Sequence, residues 1–171
     1  MSEAALLAEL VEATRIHSEW TVLREALARR QRVHLAVMVE PYLSYILQGR
    51  KSIESRFSKN AIAPYLQIGP DDLVLLKLTG GPVVGCFTTE AVEFVNLSES
   101  EFERLRTNYS DAICADQEFW EARTHKRYAT LIGVRDPQEL PASVVAKSDR
   151  RGWVALSPPT AREVSEQLSL L

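Results

Sequence analysis

Gly49-Arg50-Lys51-Ser52-Ile53-Glu54-Ser55-Arg56 is the stretch that decides the fold, because it marks the passage from a helix into a strand. The preceding segment, Pro41 to Gln48, is a short amphipathic run, and proline suits the first turn of a helix. Gly49 supplies the stop of that helix. The residues from Lys51 to Phe57 then alternate in character, which predicts a strand that displays charge.

Four charged side chains fall within the last seven residues of this stretch. Glu54 and Arg56 point to one face of the predicted strand. Ile53 and Phe57 point to the opposite face. Lys51 lies two positions before Ile53, so within the strand it would point to the same face as Ile53 and away from Glu54. Lys51 must therefore lie in the turn before the strand if it is to reach Glu54. The first candidates for a functional site are therefore Lys51, Glu54 and Arg56.

The totals describe an ordinary globular protein. A chain of 171 residues is long enough for one core and an appendage. Its net charge of −3 argues against a uniformly basic nucleic-acid binder but allows a local basic patch. No apolar run is long enough to span a bilayer, and the N-terminus lacks the pattern of a signal peptide. Cys86 and Cys114 lie far apart without other ligands at metal spacing, so we expect reduced thiols, a cytoplasmic location, and no metal or cofactor.

Residues 1–32 predict an N-terminal helical extension. Apolar residues recur at helical spacing from Leu6 to Val11, after Ser2, which is a suitable N-cap. Ser18 begins a second helix that ends near Arg29. Five Glu balance five Arg in this segment, so it is not a basic tail. We expect it to pack on the main domain, and a role in dimerisation or as a partner-binding adaptor stays open.

Residues 33–157 predict the main domain, and residues 158–171 a C-terminal helix that opens with the capping box of Thr160 and Glu163. About six strands of hairpin and meander type lack the regular βαβ order of a doubly wound parallel sheet. The predicted fold class is α+β, a small, partly closed mixed β-barrel with peripheral helices. Predicted strands span 34–39, 51–57, 73–78, 83–94 with a bulge at Gly85, 127–134 ended by Asp136-Pro137, 144–147 and 152–156; predicted helices span 41–48, 99–106, and Ser110 or Asp111 through Trp120.

Three roles are open for Lys51. As an ammonium group it holds a phosphate or a developing oxyanion. After desolvation it acts as a base, which at neutral pH requires its pKa to fall by roughly three units from near 10.4, or about 4 kcal/mol. In the third role Lys51, Glu54 and Arg56 form an ion-pair network that only fixes the barrel. The negative charge of Glu54 raises the pKa of Lys51, so the ammonium role is favoured unless the opposite effect of burial is larger. Glu54 is therefore the better candidate for proton transfer.

Charge is unevenly distributed along the chain. Residues 90–121 carry nine acids and two arginines, whereas residues 49–59 carry a local charge of +3. Two further basic segments lie at 123–127 and 147–151. If the barrel brings the three basic segments together, they form a patch for a phosphate backbone, with Trp153 and Tyr128 as stacking faces; otherwise these are core aromatics and solvated turns. The predicted nucleic-acid-binding residues are Arg50, Lys51, Arg56, Lys126, Arg127, Arg150, Arg151 and Trp153.

The pattern Gly49-x-Lys51-x-x-Glu54-x-Arg56 resembles the signature of the ASCH family, which belongs to the PUA-like β-barrels. The segment from Ile68 to Val74 is similar to the glycine-aspartate turn and strand that follow in such domains, and Arg127 to Ile132 resembles a later core strand. The resemblance covers about residues 33–157. It implies a PUA-like barrel with a cleft beside the motif strand.

The resemblance also implies RNA-related work in that cleft. A module that binds RNA, or a nucleoside or nucleotide, is the first expectation. A metal-independent hydrolase is the alternative, because some ASCH members hydrolyse N4-acetylcytidine nucleosides and others are ribonucleases. In the amidohydrolase members a threonine lies three positions after the lysine, where Glu54 stands here. In nuclease-like members a tyrosine six residues before the lysine belongs to the site, which makes Tyr45 a catalytic candidate with Lys51 and Glu54.

Overall fold

The computed structural model describes residues 2–147 and 150–156, so the helix predicted within 158–171 lies outside the described residues. Within them the chain forms one six-stranded mixed sheet surrounded by five α-helices, which is the predicted α+β class. In chain order the elements are α1 (Glu3–Ile16), a 3₁₀ turn (Ser18–Trp20), α2 (Thr21–Ala28), β1 (Val33–Met38), α3 (Tyr42–Leu47), β2 (Ile53–Ser58), β3 (Leu73–Leu78), β4 (Val83–Asn96), α4 (Glu99–Ile113), α5 (Gln117–Glu121), β5 (Tyr128–Ser143) and β6 (Trp153–Ala155).

The sheet is curled into a half-barrel with the strand order β2-β5-β4-β3-β1-β6. β1 and β3 run parallel, and the other neighbouring strands are antiparallel. Although β2 lies at one end of this order, Arg56 on β2 donates hydrogen bonds to the carbonyls of Val37 on β1 (3.1 Å) and Gly152 before β6 (3.2 Å). The two ends of the sheet therefore meet at a seam, which confirms the partly closed barrel.

The long hairpin of β4 and β5 bends the sheet. Its register shifts at three places, and Gly85 lies at one of them, as predicted. A Cβ atom at Gly85 would come within 2.6 Å of the Leu47 side chain and 2.9 Å of the Gln138 carbonyl. The close approach of α3 and β5 at this bulge therefore requires glycine.

The prediction that Asp136-Pro137 ends the fifth strand is wrong. β5 continues to Ser143, because the proline lies in a bulge. Cys86 of β4 pairs with Gln138 and Thr88 pairs with Arg135, so two steps along β4 correspond to three along β5. Asp136 takes a positive φ of 49° there, and a proline without an N–H group is tolerated at a bulge. The prediction of a strand at 144–147 is also wrong, because these residues follow β5 without regular secondary structure.

The two helices predicted between residues 99 and 120 divide differently. α4 continues to Ile113, because the Ser110 hydroxyl donates a 2.6 Å hydrogen bond to a carbonyl four residues earlier instead of capping a new helix. α5 begins after Asp116, whose carboxylate accepts a 2.8 Å hydrogen bond from a backbone N–H of its first turn. This correction matters, because α5 packs against β2 beside the motif: the rings of Phe119 and Phe57 lie 5.9 Å apart.

The N-terminal helices pack on the half-barrel, as expected. Leu10 of α1 and Leu23 of α2 are fully buried in one hydrophobic cluster with Leu35 of β1 and Leu75 of β3. The indole of Trp20 donates a 2.9 Å hydrogen bond to the Pro141 carbonyl. The apolar stripe of these helices is thus covered by the protein's own sheet.

Two further features of the described residues concern the helices and the cysteines. In the described part of the chain, no helix is both long and apolar enough to cross a membrane. Both cysteines are free thiols, and burial raises the pKa of Cys86 to about 11.

Replacing Leu10 by alanine tests the docking of the extension. Because the Leu10 side chain is fully buried, we expect Leu10→Ala to lower the free energy of unfolding by about 2–5 kcal/mol in urea titrations. Ile16→Ala, a change in the same helix at a side chain that is 73% exposed, serves as the matched control and should have little effect. Equal effects of the two changes would contradict the packing described here.

Candidate functional site

A cleft of about 430 Å³ opens where β2 meets the end of β1. Its other walls come from α3, from α5 and from the residues that follow α5. The sequence motif lies in this cleft. The lining residues are Val37, Met38, Val39, Tyr42, Lys51, Glu54, Ser55, Arg56, Phe57, Phe119, Ala122, Arg123 and Lys126.

The Glu54 carboxylate lies between two cations at the base of the cleft. Its Oε2 is 3.4 Å from Nζ of Lys51, and its Oε1 is 2.8 Å from Nε of Arg56, an ion pair without the alignment of a hydrogen bond. Glu54 is only 4% exposed and Lys51 only 2%. The ion-pair network considered from the sequence is therefore present, and it lines the cleft with Glu54 and Lys51 nearly buried and Arg56 half-buried.

Lys51 lies in the turn before β2, as its spacing from Ile53 required. Its Nζ donates a 2.8 Å hydrogen bond to the carbonyl of Ile113 at the end of α4, and it stands 5.5 Å from the centre of the Tyr42 ring. Burial lowers the pKa of Lys51, and the negative charge of Glu54 opposes that shift. The desolvation effect is the larger one, so the lysine gives up its proton more easily than an exposed lysine does.

Arg56 connects the cleft to the barrel seam. Besides its hydrogen bonds across the seam, its guanidinium lies 5.0 Å from the centre of the Trp153 ring. Trp153 is only 3% exposed, and its indole donates a 3.2 Å hydrogen bond to Nδ1 of His34. The other nitrogen of His34 is 3.0 Å from the Asp72 carboxylate. The expectation that Trp153 offers a face to a base is therefore corrected, because its ring is enclosed by these contacts.

The structure separates the two tyrosines of α3. Tyr42 lines the cleft, whereas Tyr45 lies in a shallow depression beside it. There the guanidinium of Arg50 stacks 4.1 Å from the centre of the Tyr45 ring. The two tyrosine rings are in edge contact, with centroids 6.4 Å apart. A catalytic role for Tyr45 stays a prediction, and Tyr45 would act from outside the cleft.

Only some of the predicted basic residues meet in the cleft. Lys126 joins Lys51 and Arg56 there, together with Arg123, which was not among the predicted nucleic-acid-binding residues. Arg123 donates a 2.7 Å hydrogen bond to the Phe119 carbonyl and lies 3.5 Å from the centre of that ring. The residues that do not line the cleft are Arg50, Arg127, Arg150 and Arg151; of these, Arg151 pairs with Glu3 of α1 at 2.7 Å.

The charged lining of the cleft is strongly positive. Four cations, Lys51, Arg56, Arg123 and Lys126, face a single carboxylate, so their formal charges sum to +3. Neither Arg123 nor Lys126 has a carboxylate within ion-pair distance among the described residues. Such a lining favours an anionic ligand, and Tyr42, Phe57 and Phe119 add aromatic surface beside it.

The fold is similar to that of solved structures, three of which are forms of one protein. ASCH from Zymomonas mobilis superposes with a TM-score of 0.57 at 14% identity, covering 81% of this chain and 94% of that chain. A tyrosine-to-phenylalanine variant gives 0.57 at 14% identity, covering 82% and 99%. A serine-to-alanine variant gives 0.59 at 13% identity, covering 82% and 96%. No family model matches the sequence, and no curated protein matches it. These likenesses confirm the ASCH-type fold that the motif predicted.

Replacing Glu54 by glutamine tests the network. The change leaves buried Lys51 and half-buried Arg56 without a counter-charge, so we expect the free energy of unfolding to fall by about 3–5 kcal/mol. Glu103→Gln is the control, because that carboxylate pairs with Arg106 at the exposed surface of α4 and its loss should cost little. A Glu54→Gln protein as stable as the parent would show that the network does not hold the fold.

The protonation of Lys51 is measurable by NMR of lysine side-chain carbons. We expect its pKa in the folded protein to lie below the ordinary value of 10.5, and Glu54→Gln to lower it further, because Glu54 opposes the effect of burial. The unfolded chain then binds more protons between the lowered value and 10.5, so the contribution of Lys51 to stability rises with pH across that window. A Lys51 pKa above that of the urea-unfolded chain would contradict this account.

Proposed function

We propose that this chain, with its ASCH-type fold, binds single-stranded RNA by holding a phosphate-bearing nucleotide unit in the cleft over Glu54. The observation that supports this best is the +3 charge of the cleft lining, in which Arg123 and Lys126 have no carboxylate within ion-pair distance among the described residues. A phosphate takes the place of the missing counter-charge. The ASCH resemblance implies the same kind of ligand.

The aromatic side chains of the cleft favour a nucleotide over inorganic phosphate. Tyr42 and Phe57 are half-buried and line the same space as the cations, so each offers part of a ring to a base. Base–aromatic contacts of this kind tolerate any sequence, because every base has a π-face. We therefore expect affinity to depend on charge and strand length more than on sequence.

The partner-binding adaptor is the less favoured alternative. That hypothesis requires an apolar helix face free for a partner, whereas Leu10 and Leu23 are buried against the protein's own sheet. A partner would have to bind the polar face of α1 and α2. The cleft, in contrast, is already open and charged.

A second candidate function is metal-independent cleavage of the bound RNA, favoured by the lowered pKa of Lys51. In its neutral form Lys51 accepts the proton of a ribose 2′-hydroxyl. The 2′-oxygen then attacks the adjacent phosphorus, the bond to the 5′-oxygen breaks as that oxygen takes a proton from water, and Lys51 returns its proton to the solvent. The products are a 2′,3′-cyclic phosphate and a 5′-hydroxyl end. Hydrolysis of N4-acetylcytidine would use the same cleft with Glu54 in place of the threonine of the amidohydrolase members.

Charge removal tests RNA binding. We expect Arg123→Ala and Lys126→Ala each to weaken binding of a labelled single-stranded RNA by about tenfold, because each removes a charge-assisted contact. The slope of log affinity against log salt should fall by about 0.7 per lost phosphate contact. Arg24→Ala, at an exposed arginine of α2 outside the cleft, is the matched control. Equal losses in all three variants would indicate non-specific binding and contradict the cleft.

Turnover assays separate the binding module from the hydrolase. The protein is incubated with labelled single-stranded RNA and with N4-acetylcytidine, each with and without a chelator. The binding module predicts salt-sensitive retention of RNA without products. Cleavage that survives the chelator and is lost in a folded Lys51→Met variant would instead establish the hydrolase.

A further inference from the structure

A second cleft of about 380 Å³ lies on the other side of α5 from the first. Three apolar side chains, Leu97, Phe102 and Trp120, contribute to its lining. Exposed carboxylates stand beside them, on α4 and α5. These are Glu99, Glu103 and Glu121.

The two clefts share one residue, Lys126. Residues on opposite sides of α5, and of the segment that follows it, line the two clefts. Phe119 and Arg123 line the first cleft. Trp120 and Thr124 line the second. The clefts are therefore separated by little more than the width of one helix, about 10 Å with its side chains.

A chain of aromatic rings joins the two clefts. Phe57 lines the first cleft, and its ring centroid lies 5.8 Å from that of Trp120. Trp120 in turn lies 5.5 Å from Phe102, which lines the second cleft. Trp120 is only 2% exposed, so the ring open to a base in the second cleft is that of half-buried Phe102. A strand that passes from one cleft to the other meets this ring after the aromatic side chains of the first cleft, and each base–aromatic contact strengthens binding of single-stranded nucleic acid.

The two clefts differ in the balance of positive and negative side chains in their linings. Four cations face one carboxylate in the first cleft, whereas in the second Arg106 and Lys126 face three carboxylates. A phosphate is favoured in the first and disfavoured in the second. Carboxylates accept hydrogen bonds from amino groups on base edges, so the second cleft suits the uncharged, donor-bearing part of a nucleotide.

We propose that the second cleft binds the base of the neighbouring nucleotide of the same RNA strand, with Lys126 beside the phosphate that links the two units. This inference rests on the proposed function of the first cleft. It makes a dinucleotide the shortest ligand that uses the whole site. An exocyclic amino group on the second base, which uracil lacks, supplies a donor to the carboxylates.

Calorimetric titration of the full chain with adenosine 5′-monophosphate and with the 5′-phosphorylated dinucleotide pApA tests the inference. We expect pApA to bind about tenfold tighter, since one base gains an aromatic contact. Thr124→Trp fills the second cleft and should reduce the pApA affinity to that of the mononucleotide, whose own affinity stays unchanged. Thr107→Trp, at an exposed position of α4 outside both clefts, should change neither. If Thr124→Trp lacks a cooperative thermal transition, Thr124→Leu takes its place with the same expectation.

The outcomes distinguish the two proposals. If both ligands bind the parent protein with equal affinity, or if the folded Thr124 variant keeps the advantage of pApA, the second cleft is not a base site and the inference is wrong. If neither ligand binds the parent protein, the proposed function itself fails, and the inference fails with it. A smaller advantage for pUpU than for pApA supports the role of the carboxylates.

Discussion

The Glu54 carboxylate is the group on which both the barrel and the cleft depend. It lies between buried Lys51 and half-buried Arg56, and each of these cations holds a different part of the fold. Lys51 binds the Ile113 carbonyl at the end of α4, and Arg56 binds β2 to the far end of the sheet at Val37. Without the negative charge between them, the two cations would lie close together in a space with little water, which is costly. One ion-pair network therefore closes the seam and forms the base of the cleft.

The structural and the binding roles of this network are compatible, because different cations carry them. Lys51 and Arg56 are neutralised in part by Glu54 and are held by backbone carbonyls. Arg123 and Lys126 face the same cleft without a carboxylate within ion-pair distance among the described residues. An incoming phosphate therefore finds its free positive charge at the wall contributed by the end of α5, while the base of the cleft stays fixed.

The sequence was informative where one local rule decides the structure. The alternation of residues along β2 predicted the face to which Glu54 points. The two-residue spacing between Lys51 and Ile53 placed Lys51 in the turn before the strand. Contacts between distant segments were not predictable in this way. Arg123 lines the cleft only because Asp116 starts α5 against β2, and Trp153 is enclosed because the curl of the sheet brings Arg56 and a histidine of β1 around its ring. The continuation of β5 past its proline depends on a bulge whose partner strand lies some fifty residues earlier.

A crystal structure of the protein with a bound nucleoside monophosphate would show whether the cleft over Glu54 is the binding site. We expect the phosphate within hydrogen-bond distance of Arg123 and Lys126, the base of the nucleotide against Tyr42 or Phe57, and an unbroken contact between Glu54 and its two cations. A nucleotide bound in the depression of Tyr45 and Arg50 instead, with the cleft over Glu54 holding only water, would contradict this expectation.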